Sequence, residues 1–269
     1  MKLFYKKVGK GKTIVIAHGL YGSSDNWMSI ANALSNQYEL ILVDMRNHGN
    51  SPHNPEHTYP ALANDLLELF HDLHLESPIL LGHSMGGKAA MQLAIDHPNT
   101  ISKLVIVDIA PTSYIQEGSI APQAVEHNKI IAAMQALPIS ELRSRSEAEE
   151  ILGKTIHPLA VVRFLLKNLN RDENDNFFWK LNLGVLSQNI DNLMGDLSFA
   201  TKNEHPAAMP TLFIKGELSP YIDLVQDTEI IHKLFLNANI VTIPNAGHWV
   251  HSEQPKLFLK RLSDFLTFS

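Results

Sequence analysis

Two hydrophobic rhythms alternate along the chain. One is a short, continuous apolar run: TIVIAH (13–18), ELILVD (39–44), PILLGH (78–83) and KLVIVD (103–108). Runs of Ile, Val and Leu without strict alternation predict strands covered on both faces, as in a parallel sheet. The other has helical spacing. Leu62, Leu66, Leu69 and Leu73 follow Pro60 at intervals of three and four, and 86–97 reads as a helix stopped before Pro98. Strand–helix–strand alternation predicts an open, mostly parallel sheet with right-handed crossovers.

The rhythm breaks at Pro111. From there to Pro206 the chain reads as helices and loops: NKIIAAMQAL, SEAEEIL and AVVRFLLKNL are helical, and NRDENDNFF is a polar turn. Strands return at TLFIKG (211–216) and NIVTIP (239–244), and an amphipathic helix spans 255–267. The pattern predicts one α/β core made of 1–110 and 207–269, carrying a helical insertion over 111–206. The sequence shows neither an internal repeat nor a low-complexity tract.

Composition narrows the chemistry. The 269 residues are 45% hydrophobic and 19% charged, an ordinary globular balance. A net charge of -6 without a long basic run argues against nucleic-acid and anionic-membrane partners, which need clustered Lys and Arg. No cysteine is present, which excludes disulfides, thiolate metal sites and a cysteine nucleophile. The N-terminal MKLFYKKVGKGK breaks its apolar residues with lysines, and no run approaches the roughly 20 apolar residues of a membrane helix. The expectation is a soluble cytoplasmic protein.

The candidate chemistry begins at LLGHSMGGKAA (80–90). A G-x-S-x-G between strand and helix is a nucleophile elbow. Its serine, Ser84, sits on so sharp a turn that the flanking positions must be small, and Gly82 and Gly86 meet that need. The turn lifts the hydroxyl above the C-terminal sheet edge, where open α/β sheets bind ligands. Acyl transfer also requires two N–H donors for the oxyanion. One is the amide after the nucleophile, Met85. The other comes from the loop AHGLYGSSDNW: Leu20, with Tyr21 as the alternative. The base must be one of 14 histidines. His248, in IPNAGHWVHSEQP after the last strand, fits the chain order Ser, acid, His. His251, three residues on, is expected to face elsewhere. No metal motif surrounds HWVH. Asp44 and Arg46, at a strand end, are expected to form a structural ion pair.

The runs VDMRNHGNSPH, GHSMGGKAAM, LVIVDIAP and GHWVHSEQP together resemble the YbfF-type esterases of the α/β-hydrolase superfamily. The resemblance implies the α/β-hydrolase fold with a helical cap after the strand ending at Asp108. It implies a serine hydrolase of carboxylic esters with short to medium acyl chains, acting on a small-molecule ester or thioester without a cofactor. An acyl-CoA thioesterase, a carbon–carbon bond hydrolase and a ligand receptor are the alternatives. For a thioesterase, Arg163, Lys167 and Arg171 are the basic insertion residues that would meet a phosphorylated carrier. The resemblance places the triad acid on Asp108. Many relatives carry it in a G-x-x-D turn after the penultimate strand, where this chain reads Gly216-Glu217-Leu218-Ser219, so Glu217 and Asp223 stay as alternatives. Leu137, Ile139, Phe164, Leu165, Phe177, Phe178 and Trp179 are the candidate pocket lining.

Overall fold

The computed structural model describes residues 1–115, 122–197 and 206–267. The chain opens with β1 (Tyr5–Gly9) and β2 (Lys12–Ala17). Next, α1 (Met28–Leu34) leads to β3 (Tyr38–Val43), α2 (Tyr59–Asp72) to β4 (Ile79–His83), and α3 (Met85–Asp96) to β5 (Lys103–Val107). Then come α4 (Pro122–Gln135), α5 (Arg145–Gly153), α6 (Leu159–Leu166), the strands β6 (Leu169–Arg171) and β7 (Phe177–Trp179), α7 (Leu183–Gln188) and α8 (Ile190–Met194). The chain closes with β8 (Thr211–Gly216), α9 (Thr228–Leu234), β9 (Ala238–Ile243), α10 (Val250–Glu253) and α11 (Pro255–Thr267).

Seven strands form one sheet in the order β1-β3-β2-β4-β5-β8-β9. All neighbours are parallel except β1, which runs antiparallel to β3 at the edge. The period-two geometry of a strand divides each apolar run between two cores. Val15, Leu80, Leu104 and Ile106 face α2 and α3, whereas Ile14, Ile16, Leu81 and Val105 face α1 and α11. The predicted Leu62, Leu66 and Leu69 stripe of α2 lies in the first core. Thr58 caps that helix, its hydroxyl accepting the Ala61 N–H, and Pro60 fits the first turn, where no N–H is needed.

Between β5 and β8 the described residues are mainly helical, but they also hold the antiparallel pair β6–β7, which the expectation of helices and loops misses. The polar turn between those strands is built on Asp172, whose carboxylate accepts the N–H groups of Asn174 and Asn176. Ile130, Met134, Leu165 and Leu186 join the α2/α3 core, so the insertion packs its apolar side on the sheet domain, and Tyr59 and Asn168 add hydrogen bonds across the contact, to the Leu193 and Tyr21 carbonyls. No helix among the described residues is long and apolar enough to cross a membrane.

Lys88, on α3, ties the insertion down. It is fully buried, and its ammonium donates to the carbonyls of Thr112 (2.9 Å) and Gly195 (2.6 Å), with the Tyr114 ring 4.8 Å away. Burial pushes its pKa down to about 7 against the opposing pull of Asp196 and Asp227. The unfolded chain keeps that proton up to the ordinary 10.5, so between pH 7 and 10.5 the unfolded state binds more protons and stability rises with pH. Lys88→Met should lack this rise. Denaturation midpoints of parent and variant, compared from pH 6 to 10, should diverge in the parent's favour as pH increases; parallel curves would refute a titrating Lys88.

Candidate active site

Ser84 follows β4 directly and has φ 52° and ψ -120°, a left-handed conformation that costs a non-glycine residue energy and is retained where packing over-determines it. The turn is that tight because a Cβ at Gly82 would run into the Gly86 carbonyl, and one at Gly86 would meet the Ala17 and His18 carbonyls. The Ser84 N–H donates to the Val107 carbonyl (3.0 Å), fixing the elbow to β5. Helix α3 begins at Met85, so its free N–H groups and positive dipole end lie under the serine.

Asp108 leaves β5 with φ 52° and is fully buried. One carboxylate oxygen accepts the Gly216 N–H (2.8 Å). The other accepts the Nδ1–H of His248 (2.8 Å) and the Ser219 hydroxyl. Ser219, in the turn where many relatives carry the acid, thus donates to the carboxylate held on the neighbouring strand. The other two candidate acids are occupied elsewhere. Glu217 is exposed and accepts the Asn245 N–H (2.8 Å), and Asp223 accepts the Val225 N–H (2.8 Å); neither meets His248.

Because a carboxylate only accepts, His248 must carry its proton on Nδ1, which leaves Nε2 with a lone pair. Its ring stacks on Tyr221 (centroids 4.0 Å), and its carbonyl accepts the Nε2–H of His83 (2.9 Å). Burial, then nearby His248, hold the His83 pKa well below the usual value, so His83 is a neutral prop. His251 faces elsewhere, stacked on Trp27 (4.0 Å) and buried, its pKa pushed down to about 3 by burial first and then by His248.

The loop after β2 lies over Ser84: a Cβ at Gly19 would stand 3.0 Å from the Ser84 Cβ. The Leu20 and Met85 N–H groups have no acceptor among the described residues, whereas the Tyr21 N–H donates to Nε2 of His48 (3.3 Å). Ser84, Leu20 and His248 line one cavity of about 380 Å³, closed further by Ile130, Leu165 and Tyr221. Phe164 and Trp249, in ring contact at 5.5 Å, divide it from an outer groove that they also line.

Of the residues expected to line the pocket, Phe164 and Leu165 do so. Leu137 and Phe177 are instead buried in the core, Ile139 and Trp179 pack against it, and Phe178 is exposed. Phe177, Phe178 and Trp179 are paired in the β6–β7 hairpin, not set on the cavity wall. The Asp44–Arg46 pair is also corrected. Arg46 forms a buried two-pronged pair with Asp65 of α2 (2.5 and 2.8 Å), while Asp44 accepts the N–H groups of Ser24 and Asn50. Tyr221 and His48 were not anticipated: nothing local in the sequence marks Tyr221, and His48 lay in the run VDMRNHGNSPH without a role assigned to it. Trp249 had a signal, its place beside His248.

Residues 12–128 match the family model for the alpha/beta hydrolase fold. The sn-1-specific diacylglycerol lipase ABHD11 of Mus musculus is 39% identical, over 94% of this chain and 80% of its own length. The esterase YbfF of Escherichia coli is 36% identical, over 94% of this chain and 92% of its own. Among solved structures, a marine microorganism esterase superposes with a TM-score of 0.92 at 43% identity, covering 98% of this chain and 99% of that one. With relatives this similar over nearly its whole length, and with the elbow and sheet order described above, the chain belongs to the α/β-hydrolase family, among its esterases and lipases.

Proposed function

We propose that this ester-hydrolysing enzyme works through Ser84, His248 and Asp108 by way of an acyl-enzyme. The observation that carries the reading is the 2.8 Å bond from His248 Nδ1 to Asp108, which leaves Nε2 basic in the cavity that Ser84 lines. His248 takes the serine proton as Oγ attacks the ester carbonyl. The Leu20 and Met85 N–H groups, fixed in place before the reaction, receive the oxyanion. The C–O bond breaks, and the alcohol leaves with the proton from His248. Water then attacks the acyl carbon as His248 takes its proton, the acyl C–Oγ bond breaks, and His248 returns the proton to Oγ, releasing the acid and the free serine. Asp108 stays ionised throughout and stabilises the imidazolium.

The insertion over 111–206 acts as a cap, supplying Ile130, Phe164 and Leu165 to an apolar acyl pocket. None of Arg163, Lys167 and Arg171 lines the Ser84 cavity, and Glu126 does, which favours simple esters over thioesters of a phosphorylated carrier. Arg163 is paired with Glu149 and Arg171 with Asp175. p-Nitrophenyl esters of graded acyl length, set against acyl-CoA of the same acids, test this: faster turnover of the esters is expected, and a strong preference for acyl-CoA would overturn it. Phe164→Ala should shift the preferred acyl length while leaving acetyl ester hydrolysis little changed. Trp179→Ala, away from the cavity, should shift neither. Equal losses on every ester with Phe164→Ala would indicate folding damage and sink the assignment.

A further inference from the structure

The loop DMRNHG, which follows β3, holds a buried imidazole that the mechanism above does not use. His48 is fully buried. Its Nδ1–H donates to the Arg46 carbonyl (2.8 Å), so Nε2 must be the bare nitrogen, and it accepts the Tyr21 N–H (3.3 Å). The anchor behind it is firm: the Arg46 guanidinium is fixed on Asp65 and on the Glu56 and Ala61 carbonyls. A second buried imidazole, 5.1 Å away, stitches the same two loops in the opposite sense. His18 donates from Nδ1 to the Gly19 carbonyl (2.8 Å) and accepts the Met45 N–H at Nε2 (3.0 Å).

The loop needs this tethering because Tyr21 sits at φ 62°, a conformation that a tyrosine does not hold unaided. A short turn, Gly22 N–H to the Gly19 carbonyl (2.9 Å), closes it from within, and the Asn168 amide of the insertion donates to the Tyr21 carbonyl (2.7 Å), which leaves the N–H side of Tyr21 to His48. Adjacent N–H groups cannot serve one oxygen while one of them is turned to another acceptor. With the Tyr21 N–H turned onto His48, the preceding N–H, that of Leu20, is the one left for the cavity.

We propose that His48 is a positioning residue of the oxyanion hole: by accepting the Tyr21 N–H it holds the Leu20 N–H on the reacting oxygen. The proposal rests on the Ser84 reading above. Burial first, then the neighbouring His18 and His57 rings and more distant His53, keep the His48 pKa well below its usual value, against the Arg46 carbonyl bond that raises it. The accepting, uncharged form is therefore the resident one. A merely space-filling ring would need neither the tautomer nor the acceptor.

The test compares His48→Leu, which has no acceptor, with His48→Gln, whose amide keeps one. Losing a single oxyanion donor costs about 10²–10³ in kcat, and a displaced one should cost His48→Leu about 10–100-fold. KM for p-nitrophenyl acetate should stay within about twofold, because an oxyanion donor acts in the transition state and not on the bound ester. Affinity for a trifluoromethyl ketone, which forms a tetrahedral oxyanion on the serine, should fall in step with kcat. His48→Gln should recover most of both. A folded His48→Leu with parental kcat overturns the proposal, as does a kcat loss without loss of ketone affinity. If His48→Leu does not fold, His48→Phe, a ring without an acceptor, takes its place: joint loss of kcat and ketone affinity supports the proposal, and parental values refute it. Phosphonate labelling separates the two levels. One adduct at Ser84, formed more slowly in His48→Leu, keeps the Ser84 reading intact whatever the fate of His48; no adduct in the parent protein sinks that reading first.

Discussion

Ser84→Ala should fold like the parent and lose on the order of 10⁴–10⁶ in kcat, since removing a triad nucleophile leaves only the oxyanion donors and binding to assist water. The loss should be in kcat, with ester binding retained, and the single phosphonate adduct seen by mass spectrometry should vanish. The backbone supplies an internal control. Ser84 pays for its φ of 52° with strain that alanine inherits and glycine does not. Ser84→Gly should therefore be as inactive as Ser84→Ala but more stable than it, by about 1 kcal/mol in denaturant titration. A near-parental rate in either variant would remove Ser84 from the mechanism.

Asp108→Asn is the second large effect, about three to four decades in kcat. Both carboxylate oxygens of Asp108 accept hydrogen bonds, from the Gly216 N–H on one side and from His248 and Ser219 on the other. An amide can satisfy only one side. Keeping its oxygen on Gly216 turns its NH₂ toward His248, which must then accept at Nδ1 and carry its proton on Nε2, where it cannot take the serine proton. Glu217→Gln and Asp223→Asn should stay near the parental rate, because each side chain only closes a loop. The reverse ranking in kcat/KM on p-nitrophenyl acetate would move the acid back to the turn after β8.

What the sequence disclosed and what it hid follow from the range of the forces involved. The central strands were legible because burial on both faces demands unbroken apolar runs, as in Ile14, Val15 and Ile16. The edge strand β1 was not, since YKKVG is only partly buried and carries no such demand. β6 and β7, three residues each, are too short for a period to emerge. Ser84 was legible through its glycines, because a backbone collision constrains neighbours two residues away. Asp108 was half legible: a strand-end aspartate is common, and only the fold brings Ser219 and His248 to it. The partner of Arg46 was misread because sequence favoured Asp44, two positions away, whereas tertiary packing delivered Asp65 from a helix. The pocket lining was overestimated for a related reason, since hydrophobicity marks a residue as buried without saying beside which space.

The Lys88 clasp has one more consequence, for how such a protein can be altered. Two carbonyls held at 2.9 and 2.6 Å by one nitrogen lie at most about 5.5 Å apart, so the chain departs at Thr112 and comes home at Gly195 to nearly the same point. Topologically the long excursion is a loop on a closed stem. Changing its length costs little entropy, about 0.6 kcal/mol for each doubling, and need not move the strands at its base. A segment spliced between these two positions would also have to cover the apolar surface of α2 and α3 that Ile130, Met134, Leu165 and Leu186 now bury. The reactive frame and the part that meets the substrate thus join at one closed stem, where the buried Lys88 amine is a fitting that any replacement must accept.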